Sequence, residues 1–135
     1  MKKGDTTMNE FSMNGVGGAE YVTMPLDSTT KTAIGKNYDS AKGKAVALVD
    51  NNTVGYGTDG DALFGVLTKV EHDGLASVQV KGFAVGLAGT ASATAINKFA
   101  AVDGEGGVKS AGTGVVSNGY ITAFDSSSKS TDIFM

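Results

Sequence analysis

His72 is the only histidine in the chain, and Asp73 follows it directly. An imidazole beside a carboxylate is part of the apparatus that activates a serine nucleophile. That chemistry needs the histidine buried against a serine, and no G-x-S-x-G elbow occurs. His72-Asp73-Gly74 instead has the composition of a hairpin tip, where a solvated polar residue is expected. Asp59-Gly60-Asp61 sets two carboxylates on one turn. Calcium loops use such residues, but they add further oxygen ligands and a distal glutamate at fixed spacing, and that pattern is missing. Glu10, Glu20, Glu71 and Glu105 show no pairing that would point to acid–base work. Gly35-Lys36 and Gly43-Lys44 lack the upstream glycine and the downstream Ser/Thr of a phosphate loop, and Gly104-Glu105-Gly106-Gly107 precedes no helix that could aim its dipole at a phosphate. The residues thus specify no catalytic centre, metal site or cofactor site.

The elements that would have to position these residues are mostly strands. From Gly43 to Leu87 the chain reads strand, turn, strand, turn. Ala45–Val49 is an apolar run of strand length, Asp50-Asn51-Asn52 a turn, and Val54–Tyr56 a short return. Thr58–Asp61 is a second turn, and Leu63–Glu71 a strand. Leu75–Val85 alternates, with Ala76, Val78, Val80 and Gly82 on one face and Ser77, Gln79, Lys81 and Phe83 on the other, as in a half-buried antiparallel strand. Gly89–Asn97 is either a short helix or a loop. Lys98–Val102 and Val108–Ser110 flank the glycine-rich Asp103–Gly107 turn. Gly114–Val116 and Tyr120–Phe124 flank Asn118-Gly119, a strong hairpin signal. Asp125–Ser130 is a polar turn, and Thr131–Met135 a terminal strand. Ala45–Asp50 followed by Val54 echoes Phe99–Asp103 followed by Val108, either as a duplication or as two hairpins obeying the same turn chemistry.

Residues 1–42 differ. Their apolar residues, Phe11, Met13, Val16, Tyr21, Val22, Met24, Leu26 and Ile34, follow no sustained period. They read as an extended N-terminal arm with one short strand at Glu20–Leu26, either disordered or ordering on a partner. The organisation expected is an arm at 1–42 and a β-rich domain at 43–135. The fold class expected is mostly β, a small antiparallel barrel or sandwich-like domain.

Composition narrows the function classes. At 135 residues, 41% hydrophobic, the chain can bury one modest core. The 20 glycines and single proline imply many turns and favour β structure. Cysteine is absent, which excludes disulfides and thiolate metal sites. The net charge is −3 and every basic residue is lysine, a poor basis for nucleic-acid recognition, which leans on arginine forks. No apolar run approaches the roughly 20 residues that span a bilayer, and Met1-Lys2-Lys3-Gly4-Asp5 is followed by no secretory apolar stretch.

One segment carries more than composition. Ala47-Leu48-Val49-Asp50 leads through a short hairpin to Thr58-Asp59-Gly60-Asp61-Ala62-Leu63-Phe64-Gly65-Val66-Leu67, and Val78-Gln79-Val80-Lys81-Gly82 follows. This pattern resembles the head decoration, or capsid cement, proteins of tailed bacteriophages, and Lys98–Lys109 is similar to that family's second hairpin. The likeness covers residues 43–110; the first 42 match only in character. The resemblance implies a β-rich, non-enzymatic protein without cofactor, made in the host cytoplasm and placed on the outer capsid surface of the virion. Its partner would be the major capsid protein, which it would clamp as a homo-oligomer, a trimer, at local symmetry axes. Many weak contacts on a repeating lattice add through avidity, and an arm that orders on binding covers much surface from a small body. Phe11, Met13, Tyr21, Met24 and Leu26 are the expected partner contacts. The competing reading is a carbohydrate- or receptor-binding β module of the fibre or adhesin kind. It would need an exposed aromatic platform, for which Tyr38, Tyr56 and Tyr120 are the candidates.

Overall fold

The computed structural model describes residues 19–89 and 95–135. The chain runs β1 (Glu20–Pro25), α1 (Ser28–Ile34), a 3-10 turn (Tyr38–Ala41), β2 (Ala45–Asp50), β3 (Thr53–Gly55), β4 (Gly65–Val70), β5 (Leu75–Lys81), β6 (Phe83–Ala88), β7 (Ala100–Val102), β8 (Val108–Ser110), β9 (Tyr120–Asp125) and β10 (Ser130–Phe134). Among the described residues the strands form a five-stranded sheet of order β1-β5-β4-β2-β3, a three-stranded sheet β6-β10-β9 and the hairpin β7-β8. Every strand pair is antiparallel. The protein is mostly β, as expected, and its layers are sandwich-like.

The burial pattern explains why the central strands read as unbroken apolar runs. The five-stranded sheet is covered on both faces. Ala45 and Ala47 of β2, with Val66 of β4, face a core completed by Leu87, Val102, Val108, Ile121 and Ile133 from the smaller sheets. Val46 and Leu67, the alternate residues of the same strands, face a second core with Val54, Val78, Leu26, Ile34 and Ala41. Gly65 opens β4 because β5 lies too close for a side chain: a β-carbon there would meet the Gln79 carbonyl oxygen and Val78 Cγ1 at 2.5 Å.

Three expectations are corrected. Residues 19–42 do not behave as an extended arm. β1 is there as read, but α1 follows it, and Leu26, Ile34 and Ala41 sit in the second core. The helix begins where the Asp27 carboxylate accepts from the Thr30 backbone N–H at 3.0 Å and stops at Gly35, whose N–H donates to Lys31 O. Three threonines in seven residues hid it, and burial of Thr30 and Ile34 compensates for their weak propensity.

Leu75–Val85 is not one strand. It breaks at Gly82, whose φ of +98° turns the chain from the five-stranded sheet into the three-stranded one. The buried Gln79 side chain holds this corner by donating to Lys81 O at 3.1 Å and Phe83 O at 2.9 Å. Gly82 and Met135 exchange backbone hydrogen bonds across it.

Asn118-Gly119 is not a hairpin turn. Val115 N–H closes a turn on Gly112 O, and β9 pairs with β10 rather than with Gly114–Val116. The Asn118 amide instead donates to Phe64 O at 2.8 Å and Val80 O at 2.9 Å, an interaction that local turn chemistry cannot reveal. The other hairpins form as read, including both members of the echo, β2-β3 and β7-β8. The proposed short helix at Gly89–Asn97 falls largely on residues outside the described ones.

Candidate functional site

The described groups considered below, His72, Asp59 and Asp61, lie in turns of the sheet. His72 lies exposed at the β4–β5 turn, its ring edge-on to Tyr38 with centroids 4.5 Å apart. Two cavities adjoin it, one of about 140 Å³ lined by Leu26, Lys31, Ile34 and Glu71 and one of about 580 Å³ lined by Lys36, Asn37, Asp39 and Lys42. Asp61 accepts from Thr58 N–H at 2.9 Å and closes its own turn. Asp59 pairs with Lys109 at 2.8 Å. Among the described residues no group of three or more His, Asp or Glu side chains gathers in metal-binding proximity.

The glycine clusters are equally committed. Gly35-Lys36 is a helix stop, the end of a helix that repels anions. In the Gly104–Gly107 loop, the N–H groups of Glu105 and Gly107 already donate to Asp103 Oδ1. The Lys44 stem packs over Gly106 of the same loop.

The expected partner contacts separate in space. Phe11 and Met13 lie outside the described residues. Tyr21, on edge strand β1, is 54% exposed, whereas Leu26 is 3% exposed and belongs to the core. Met24 is half-buried against that core. Tyr38 and Tyr56 also pack on the second core, so they do not join Tyr120 in a platform. Burial raises the Tyr56 phenol above its ordinary value.

The structure builds a different aromatic row. Phe134 of β10 pairs in register with Phe83 of β6 on one side and Tyr120 of β9 on the other. The Phe83 and Phe134 rings lie 4.9 Å apart, and Tyr120 stacks on Phe99 at 4.4 Å. Four aromatics thus cross the outer face of the three-stranded sheet. Phe83, Phe134 and Tyr120 remain 38–45% exposed, and Val85 on the same sheet is 70% exposed. The only advance signal was the outward position of Phe83 in the alternation of residues 75–85; the register that aligns it with Phe134 and Tyr120 is tertiary. One end of the row lies at the Gly82 corner, against which the backbone of Ala19 packs closely. Glu20 pairs with Lys81 beside it at 3.7 Å.

Among the described residues no helix is long and apolar enough to cross a membrane. Comparison of the chain with protein-family models, with curated proteins and with solved structures finds no match.

Proposed function

We propose that this is a non-enzymatic structural protein that binds the outer surface of a tailed-phage capsid and stabilises the lattice by bridging capsid subunits, with the major capsid protein as partner and a trimer as the working assembly. The observation that carries this reading is the junction at Ala19–Glu20. Residues 1–18 join a rigid double-core body through an edge strand whose Tyr21 and Val22 side chains are exposed. A clamp needs this combination: a body to set the distance, and exposed side chains on an edge strand that can meet a neighbouring chain. The cement-protein pattern of residues 47–82 points the same way.

The test is co-sedimentation of the full chain with capsids of the phage that encodes it. Wild type should pellet with them, and Tyr21→Ser combined with Phe11→Ser and Met13→Ser should lower the bound fraction at least tenfold with unchanged circular dichroism. Failure of the wild type to pellet, or unchanged binding of the triple variant, overturns the proposal. The aromatic row supports a second reading, a glycan-binding β module. Saturable glycan-array binding lost in Tyr120→Ala, without capsid binding, would favour it.

A further inference from the structure

Asn118 closes a clasp between segments far apart in the chain. Its side chain donates to Phe64 O at 2.8 Å and to Val80 O at 2.9 Å. Both neighbours are carbonyl oxygens, so the amide must turn its nitrogen toward them, and both of its hydrogens are used. Phe64 and Val80 stand just past Val66 and Gln79, where the register between β4 and β5 ends. The Asn118 backbone N–H donates to Leu63 O at 3.1 Å, and Gly119 O accepts from Ala100 N–H at 2.8 Å. The Asn118-Gly119 pair thus holds the ends of β4 and β5 to β7.

The same pair is reactive. Before a glycine, whose nitrogen no side chain shields, an asparagine is open to attack at Cγ. The bond from the Gly119 nitrogen to Cγ forms, the Cγ–Nδ2 bond breaks, and Nδ2 leaves as ammonia. Water then opens the cyclic imide at either carbonyl, giving aspartate or isoaspartate. The sum is water consumed and ammonia released, with nothing oxidised or reduced. The native geometry opposes the first step. The leaving nitrogen is held by two carbonyls, and the attacking N–H donates to Ser117 Oγ at 3.3 Å. Gly119 is also buried. A β-carbon on it would lie 3.0 Å from Leu63 Cδ2 and 3.3 Å from Met135 Cγ, so its backbone has little room to swing toward Cγ.

We propose that Asn118 is a modification site gated by the fold. Its amide survives while the clasp is closed and is lost when the 112–119 loop opens. Once lost, it keeps the clasp from closing again, because the product carboxylate has no hydrogen to donate and sets negative charge against two carbonyl oxygens. The chain then carries a lasting record of having opened. This inference does not rest on capsid binding.

The test is incubation of the full-length protein at neutral pH, native and in denaturing urea, with conversion at residue 118 followed by mass spectrometry of its peptide. The other Asn-Gly pair, Asn14-Gly15, lies outside the described residues and is read in a separate peptide. Asn118 should convert at least about tenfold more slowly in the native protein, and equal rates overturn the gate. Asn118→Asp installs one product and should raise the ratio of unfolded to folded chains about tenfold in urea titration. Stability equal to wild type would show that the clasp re-forms, which overturns the record. Should Asn118→Asp fail to fold, wild type partly converted in urea, refolded and briefly proteolysed decides. Digestion should consume the chains converted at residue 118 first, and equal survival of both forms refutes the proposal.

Discussion

Thr131 is fully buried on β10, and its hydroxyl has no hydrogen-bond partner among the described residues. The hydroxyl packs where a β-carbon on Gly89 would otherwise lie. An unsatisfied buried hydroxyl costs about 1–3 kcal/mol, and a methyl of the same shape carries no such penalty. Thr131→Val should therefore raise stability by about 1 kcal/mol in urea titration; a loss of that size would mean that a buried water satisfies the hydroxyl. Tyr56 makes a second prediction at this scale. Burial raises its folded pKa above the ordinary 10.0, so the native state holds the phenolic proton more tightly than the unfolded chain. The stabilisation this provides is complete below pH 10 and is lost as the pH rises through the folded value. The wild type should lose stability between pH 10 and 12 more steeply than Tyr56→Phe, as followed by thermal melts. Neither role was legible beforehand. Sequence shows that Thr131 lies in a strand and that Tyr56 follows a turn, but what packs around their side chains depends on strands far away in the chain.

At the scale of elements, legibility followed locality. The turns at Asp50–Asn52, His72–Gly74 and Asp103–Gly107 carry their own Asp, Asn and Gly chemistry, so their hairpins could be read directly. α1 is capped by Asp27 and Gly35, but its stability comes from burial of Thr30 and Ile34, where the Thr30 hydroxyl also accepts from Tyr56 N–H at 2.9 Å. Asp27→Ala removes the cap and should cost about 0.5–2 kcal/mol, read as a shift in denaturant midpoint with no change in the strand signal. The β5–β6 corner was invisible because alternation continues through Gly82 even as the backbone turns. Gly82→Ala would force a side chain into a positive φ, 3.1 Å from the Ala19 backbone. A loss of about 1–3 kcal/mol should follow, with amide exchange accelerated first in β6 and at Ala19–Val22. Uniform acceleration across both cores would show instead that the corner is not a local unit.

For the whole molecule, the body extends further toward the N-terminus than composition implied, and this changes how the proposed partner contacts must be tested. The scattered apolar residues of positions 19–42 read as an untidy tail because they serve three elements in turn: an edge strand, a one-sided helix and a 3-10 turn. None is long enough to show a period. β1 is nevertheless paired along β5 from Glu20 to Pro25, and Leu26 bridges to Val54 on β3, so this segment links both ends of the five-stranded sheet. A cut after residue 18 leaves every described core residue in place. A cut after residue 42 removes Leu26, Ile34 and Ala41 and uncovers Val46, Val54, Leu67 and Val78. Losing three buried apolar residues with their packing partners should cost well over 5 kcal/mol, at about 2–5 kcal/mol for each large side chain, which is comparable to the whole stability of a small domain. The chain lacking residues 1–18 should thus unfold in one cooperative transition in urea, whereas the chain lacking residues 1–42 should show none. If the shorter chain kept a cooperative transition, the second core would be dispensable. The proposed capsid binding is therefore to be assayed by removing residues 1–18, since the longer deletion destroys the folded body.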